Sequence, residues 1–179
     1  MEIVLLLMLA SAVGFIIWAN FSQSGKAPVP GSAAPPFDLE GSDGARHSLA
    51  ALAGKRTVLF FFPQDDTPEC IAAITRLRDA RGAIAATSTT LLAIGVGSCE
   101  AARKYAAQHD LDFPLLADPD GKAARRYGAL INTGFAKFAR KLVVIVNPAG
   151  RVERTFPDVE IDTPGHIKVL LGALGPDGL

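Results

Sequence analysis

The chain has 179 residues, 49% hydrophobic and 20% charged, with 17 Gly and 12 Pro, which excludes a disordered chain, a collagen-like repeat and a polytopic membrane protein. Eighteen Lys+Arg balance eighteen Asp+Glu, so no net field favours nucleic acid and none is expected as a partner. Two cysteines make neither a disulfide framework nor, alone, a structural zinc site; His47, His109 and His166 are scattered without ligand spacing. No metal or other cofactor is expected.

The mean hydropathy of +0.27 is high for a single soluble domain, and its source is local. Residues 3–19, IVLLLMLASAVGFIIWA, carry no charge. As a helix they would span roughly 26 Å, just short of a hydrocarbon core of about 30 Å. Trp18 suits the water–lipid interface. A cleavable signal peptide is the rival reading, but only Met-Glu precedes the run and Ala10-Ser11-Ala12 lies inside it. The expectation is therefore a single-pass N-terminal transmembrane anchor over residues 1–19, with Lys26 leaning the following domain to the cytoplasmic face. Residues 20–36, rich in Pro, Gly, Ser and Ala, read as a linker, and residues 37–179 as one folded domain.

Within that domain FDLEGSDGARHSL reads as a hairpin turning at Asp43-Gly44. The unbroken apolar run at 57–62 suits a strand covered on both faces. A helix is expected from about Cys70 to Ala85, with Ile74, Leu77 and Ile84 on one stripe. Residues 90–96 form a second buried strand, followed by a helix from Glu100 to His109 with Ser98 as its N-cap. Asp118-Pro119-Asp120-Gly121 turns into a short helix ending near Tyr127-Gly128. Strands at 142–146 and 151–156 flank Asn147-Pro148-Ala149-Gly150, and a last helix runs from about Pro164 to Leu174. The order implies an α/β thioredoxin-like fold: a central mixed sheet, flanking helices and an N-terminal hairpin.

The segment Phe62-Pro63-Gln64-Asp65-Asp66-Thr67-Pro68-Glu69-Cys70 joins the first buried strand to its helix. In open α/β sheets, sites gather at the carboxyl ends of the strands. A cysteine in a first helical turn meets free N–H groups and the positive end of the dipole, which favour thiolate over thiol. Thr67 can hydrogen-bond the sulfur or an oxygen beside it, and Pro63 and Pro68 stiffen the loop. Cys70 also shares a stripe with Ile74 and Leu77, so a buried structural cysteine is the bland alternative.

P-x-x-x-T-x-x-C after such a strand resembles the active-site signature of the peroxiredoxins, thiol peroxidases that reduce hydroperoxides. It is most similar to the peroxiredoxin Q or bacterioferritin-comigratory group. The likeness continues through Leu77-Arg78-Asp79, residues 113–129 and the hairpin after Asn147, to His166. It implies Cys70 as the peroxidatic thiol, cycling through a sulfenic acid, with Thr67 orienting the peroxide and Pro63 shielding the sulfur. An activating cation is expected just before the strand at 142–146. That position falls on Lys141, with Arg140 one residue away, and Lys lacks the planar guanidinium fork.

There are departures from the pattern. Glu69 replaces a Gly and is expected to raise the thiol pKa; Ile71 replaces a Thr, and Thr75 stands where a resolving cysteine is often found. Cys99 is then the candidate resolver; otherwise an external thiol reduces Cys70. The resemblance thus implies a peroxidase acting on hydrogen peroxide or on organic or lipid hydroperoxides. Its reductant would be a thioredoxin-like or other thiol, and the protein a monomer or homodimer. A weakened, membrane-tethered redox sensor or interaction module is the alternative.

Overall fold

The computed structural model describes residues 25–157 and 164–175. Its central feature is a seven-stranded sheet of order β2-β1-β5-β4-β3-β8-β9. The strands are β1 (Asp38–Gly41), β2 (Arg46–Ser48), β3 (Arg56–Phe61), β4 (Thr89–Gly95), β5 (Leu115–Ala117), β8 (Leu142–Val146) and β9 (Val152–Pro157). The helices are α1 (Pro68–Ala86), α2 (Cys99–Gln108), α3 (Lys122–Arg126) and α4 (Pro164–Leu174), and β6 (Leu130–Asn132) with β7 (Lys137–Ala139) forms a separate small hairpin. β3, β4 and β5 are parallel; β1, β8 and β9 run antiparallel to their neighbours. This is the mixed-sheet thioredoxin-like architecture.

The period-two geometry of a strand explains the unbroken apolar runs. Val58 and Phe60 of β3, with Phe62 just beyond it, join Val143 and Ile145 of β8 on one face, covered by Ile74 and Leu77 of α1, Tyr105 of α2 and Leu170 of α4. Leu59 and Phe61, with Val144 and Val146, point the other way into a second core with Ala124, Tyr127 and Leu130. Each side chain of β3 from Val58 to Phe61 is fully buried.

Three short strands escaped the sequence pattern. β5 has only Leu115–Ala117, too few residues to show a period, yet it bridges β4 and β1. β6 and β7 are three residues each and are defined by pairing with one another, Leu130 against Ala139. Residues 25–36, expected to be part of a linker, are laid on the domain. Gly31 N–H donates to Val152 O at 2.7 Å and Ala34 N–H to Gly150 O at 2.9 Å. Tyr127 OH donates to Pro35 O at 2.8 Å. A side chain at Gly128 (φ +69°) would collide with the backbone of residues 25–27, so this glycine permits the crossing.

The membrane location expected from the sequence is corrected. Among the described residues no helix is long and apolar enough to cross a membrane. The longest, α1, has 19 residues but carries Glu69, Arg76, Arg78, Asp79 and Arg81. Charges such as these cost about 2.5–3.5 kcal/mol each at the middle of a spanning helix. Residues 3–19, on which the anchor, its transmembrane helix and its cytoplasmic orientation rested, lie outside the described residues.

Arg56 ties the far end of the chain to the sheet. Its guanidinium pairs with Glu153 of β9 and donates to Ala173 O and Leu174 O at 2.9 Å each, closing the end of α4, whose carbonyls have no partner within the helix. Both side chains are about three-quarters shielded from water, where charge-assisted bonds are strong. Arg56→Ala is expected to destabilise the domain by about 2 kcal/mol and to raise amide exchange selectively in α4. Urea unfolding and hydrogen exchange check the two effects.

Candidate active site

The site lies where β3 ends and α1 begins. After Phe62 the chain leaves the sheet through Pro63, and Gln64 reverses it with φ of +57°, a left-handed conformation that non-glycine residues adopt rarely. The Gln64 side chain lies over Gly95 at the carboxyl end of the adjacent β4, where a Cβ would meet its Oε1. The turn is pinned from the other side by α2: Tyr105 OH donates to Asp65 O at 3.1 Å. The Tyr105 ring packs on Phe62, centroids 5.7 Å apart, and on His109 at 4.3 Å.

α1 then starts cleanly. Thr67 is its N-cap in extended conformation, Pro68 occupies the first turn without needing a donor, and Thr67 Oγ1 accepts from Cys70 N–H at 3.4 Å. The Thr67 hydroxyl donates in turn to Asp65 Oδ1 at 2.6 Å, and the Thr67 amide donates to the same oxygen at 3.2 Å. The local sequence therefore builds two nested caps, Asp65 over Thr67 and Thr67 over Cys70. Cys70 ends up 2% exposed, held against the sheet by its own helix.

Of the two cations expected near the thiol, the structure brings only Lys141 there. Its Nζ donates to Glu69 O at 3.4 Å, and its charge acts on both Cys70 and Asp65. Arg140 turns away: its Nε donates to Gly128 O at 3.0 Å and its amide to Ala129 O. Adjacent residues entering a strand point to opposite faces, so only one of the pair can reach the site.

The electrostatic balance differs from the one expected. Burial pushes the Cys70 thiol above its ordinary pKa, the Asp65 carboxylate adds to the rise by hydrogen bonding and charge, and Thr67 and Lys141 oppose it. Burial also opposes ionisation of Asp65, but hydrogen bonds from Cys70 and Thr67, with the charge of Lys141, hold its carboxyl below the usual range. Tyr105 is pushed well above the normal phenol pKa, first by burial and then by the negative charges of Cys70, Asp66 and Asp65. The acid that acts on the thiol is thus Asp65, whereas Glu69 is exposed and does not figure among the causes. The signal for Asp65 in the sequence is Asp-x-Thr ahead of Pro, a recognisable side-chain turn.

The second cysteine borders a cleft of its own. Cys99 is the first residue of α2, after the Ser98 N-cap, and lines a cleft of about 410 Å³ with Phe37, Asp118 and Ala123; Cys70 is not among the lining residues. Both cysteines are free thiols. Thr75 bonds back to Ile71 O at 2.7 Å within α1.

A family model described as the AhpC/TSA family matches residues 30–155, well over half of the chain. The chain belongs to the AhpC/TSA family. It is 26% identical over 148 residues to Peroxiredoxin Bcp of Escherichia coli K12, covering 80% of this chain and 94% of that protein. Its fold matches peroxidoxin BcpB of Mycobacterium tuberculosis with a TM-score of 0.74 at 22% identity, covering 82% of this chain and 96% of that one. It also matches peroxiredoxin Q of Xanthomonas campestris with a TM-score of 0.71 at 22% identity, covering 80% and 92%. Family and relatives together make this protein a thiol-dependent peroxidase, an oxidoreductase of the peroxiredoxin Q and Bcp kind.

The assignment of the cation is testable in this peroxidase. Removing a positive charge from beside a thiolate raises the thiol pKa. Lys141→Met is expected to move the Cys70 titration upward and to lower the thiolate fraction at neutral pH. Arg140→Met is expected to leave that titration in place, because its guanidinium serves the Gly128 carbonyl. Ultraviolet thiolate absorbance against pH, recorded in a Cys99→Ser background, reads both.

Proposed function

We propose that Cys70 is the peroxidatic thiol of this enzyme, with Thr67, Pro63 and Lys141 as its working partners. The observation that carries the reading is the convergence on one sulfur of a helix N-terminus, the Thr67 cap and the Lys141 charge. Sulfur attacks the terminal oxygen of a hydroperoxide. An S–O bond forms as the O–O bond breaks, sulfur gives up two electrons, and the peroxide leaves as water or an alcohol. The helix dipole and Lys141 favour negative charge on the sulfur and on the oxygens as they separate. Thr67 Oγ1 keeps a lone pair for the peroxide proton once it has accepted from Cys70 N–H. Pro63, half-buried and without an N–H, forms the apolar wall that keeps water from the sulfenic acid.

Reduction completes the cycle. A thiol attacks the sulfenic sulfur and expels water, giving a mixed disulfide, and a second thiol releases Cys70. We assign the first of these thiols to an external, thioredoxin-like donor. The support is that Cys99 opens on a cleft Cys70 does not line, while Cys70 is locked in the capped first turn of a 19-residue helix. A disulfide requires Cα atoms within about 7 Å, so pairing the two would require the start of α1 to unwind.

Intact mass after one equivalent of hydrogen peroxide, with single cysteine variants alongside, tests the cycle. Fast consumption of peroxide is expected in the wild type and in Cys99→Ser and is lost in Cys70→Ser. The wild type is expected to gain one oxygen. A loss of two hydrogens instead would make Cys99 the resolving residue. Oxidation no faster than that of a free thiol would leave the family standing and remove Cys70 from its role. Thr67→Ala is expected to slow the reaction and, through the lost cap, to cost about 1 kcal/mol of stability.

A further inference from the structure

The last turns of α2 face the loop that carries the site. Tyr105, Gln108 and His109 are spaced i, i+3 and i+4, so they share one side of the helix. Tyr105 OH donates to Asp65 O at 3.1 Å, Gln108 Nε2 donates to Asp66 Oδ1 at 3.5 Å, and His109 Nε2 stands 3.7 Å from that same carboxylate oxygen. The last distance is too long for a hydrogen bond and short enough for an ion pair. His109 is 8% exposed, its ring centroid lies 4.3 Å from that of Tyr105, and its Nε2 has no hydrogen-bond partner. Buried polar nitrogens are seldom left so. This one is poised against an acid on the loop in front of Cys70, and the chemistry described above makes no use of it.

We propose that His109 is a positioning residue for this loop, gripping Asp66 when its imidazole is charged and letting the loop go when it is neutral. The inference rests on Cys70 being the peroxidatic residue. Asp65 and Asp66 lead straight into the Thr67 cap, and Cys70 beneath that cap is 2% exposed. A reducing thiol therefore reaches the sulfenic sulfur only when the loop and the first turn of α1 move. Whatever ties residues 65–67 to α2 opposes that movement. The Tyr105 and Gln108 bonds do so at every pH, and a charged His109 adds an ion pair to them. The grip acts on the reduction step, in which the S–S bond forms, the S–O bond breaks and the oxygen departs as water with the hydrogen of the incoming thiol.

Imidazoles titrate between about pH 5 and 8, an interval in which carboxylates are ionised. At its acid end the charged ring holds the loop closed and reduction is slow. As the pH rises the ring loses its proton, the grip is lost and reduction quickens. The charged and titratable groups around His109 are Asp66 in the loop, Tyr105 on its own helix, Arg78, Asp79 and Arg81 of α1, and Asp110 and Asp112 just beyond α2. Arg78 donates to His109 O at 2.9 Å but is paired with Asp79 at 3.0 Å, and Arg81 is paired with Asp112 at 3.0 Å. Tyr105, held well above the normal phenol pKa, stays uncharged throughout. His109 also closes the carboxyl end of α2, where the helix dipole favours a cation.

The experiment follows thionitrobenzoate, an aryl thiol already ionised across this interval, as it adds to the sulfenic acid of Cys70. The full chain carries Cys99→Ser as the parent and is first oxidised with one equivalent of hydrogen peroxide. His109→Phe keeps a ring against Tyr105 and cannot carry the charge. Asp66→Asn removes the partner from an exposed position and guards against a fold defect at the buried one. Both variants are expected to react about threefold faster than the parent at about pH 5.5 and at the parent's rate at about pH 8. The double variant is expected to be no faster than either single one, because both remove the same contact. A ratio to the parent that is equal at the two pH values, or gains that multiply in the double variant, overturns the proposal while Cys70 keeps its role. Failure of the oxidised parent to take up the probe at any pH overturns the reading of Cys70 itself.

Discussion

Burial of β3 on both faces and both edges is the constraint from which the site follows. Its residues from Val58 to Phe61 have no exposed surface, and it is hydrogen-bonded to β4 on one side and β8 on the other. A strand so placed cannot slip by one residue without moving its whole set of side chains to the wrong core. The chain therefore leaves the sheet at one defined point. Pro63, the left-handed Gln64 and the Asp65–Thr67 turn then bring Cys70 to the first turn of α1, under the Thr67 cap. The two cores hold this arrangement from opposite sides, one packing α1 and α2 and the other the β6–β7 hairpin that leads to Lys141.

The site works by opposing influences. Burial and a carboxylate resist a free thiolate, while a helix terminus, a hydroxyl and an ammonium favour it. Burial leads, and the thiol pKa lies above its ordinary value with the Lys141 charge acting the other way. Lysine in place of arginine fits this picture, because a compact charge acts through the field and not through a bidentate grip on the peroxide.

Most of the framework was legible in the chain because long, fully buried strands and capped helices carry strong local signals. The strand Leu142–Val146 and the helix Pro164–Leu174 were read with the bounds they have, and β3, β4 and α2 within one residue. The three-residue strands were not, since a strand of that length is defined by its partner. Residues 25–36 offer only alanines, prolines and Val29 as apolar side chains, with no period to announce packing, yet their backbone pairs with residues 150–152. Among the described residues no helix is long and apolar enough to cross a membrane, and residues 3–19, on which the expected anchor rested, lie outside them.

The sequence by itself determined the α/β order, the strand-to-helix junction and the presence of Cys70, Thr67 and Pro63 in register. Those depend on periodicity, capping and spacing within one short stretch of chain, and short-range physics is written in short-range order. Only the tertiary structure decided between Arg140 and Lys141, exchanged Glu69 for Asp65 as the acid acting on the thiol, and separated Cys99 into its own cleft. Each of these turns on which way a side chain points from a twisted strand or a packed helix, or on a neighbour supplied by a distant segment. Such directions are set by the packing of the whole domain, and no local pattern encodes them.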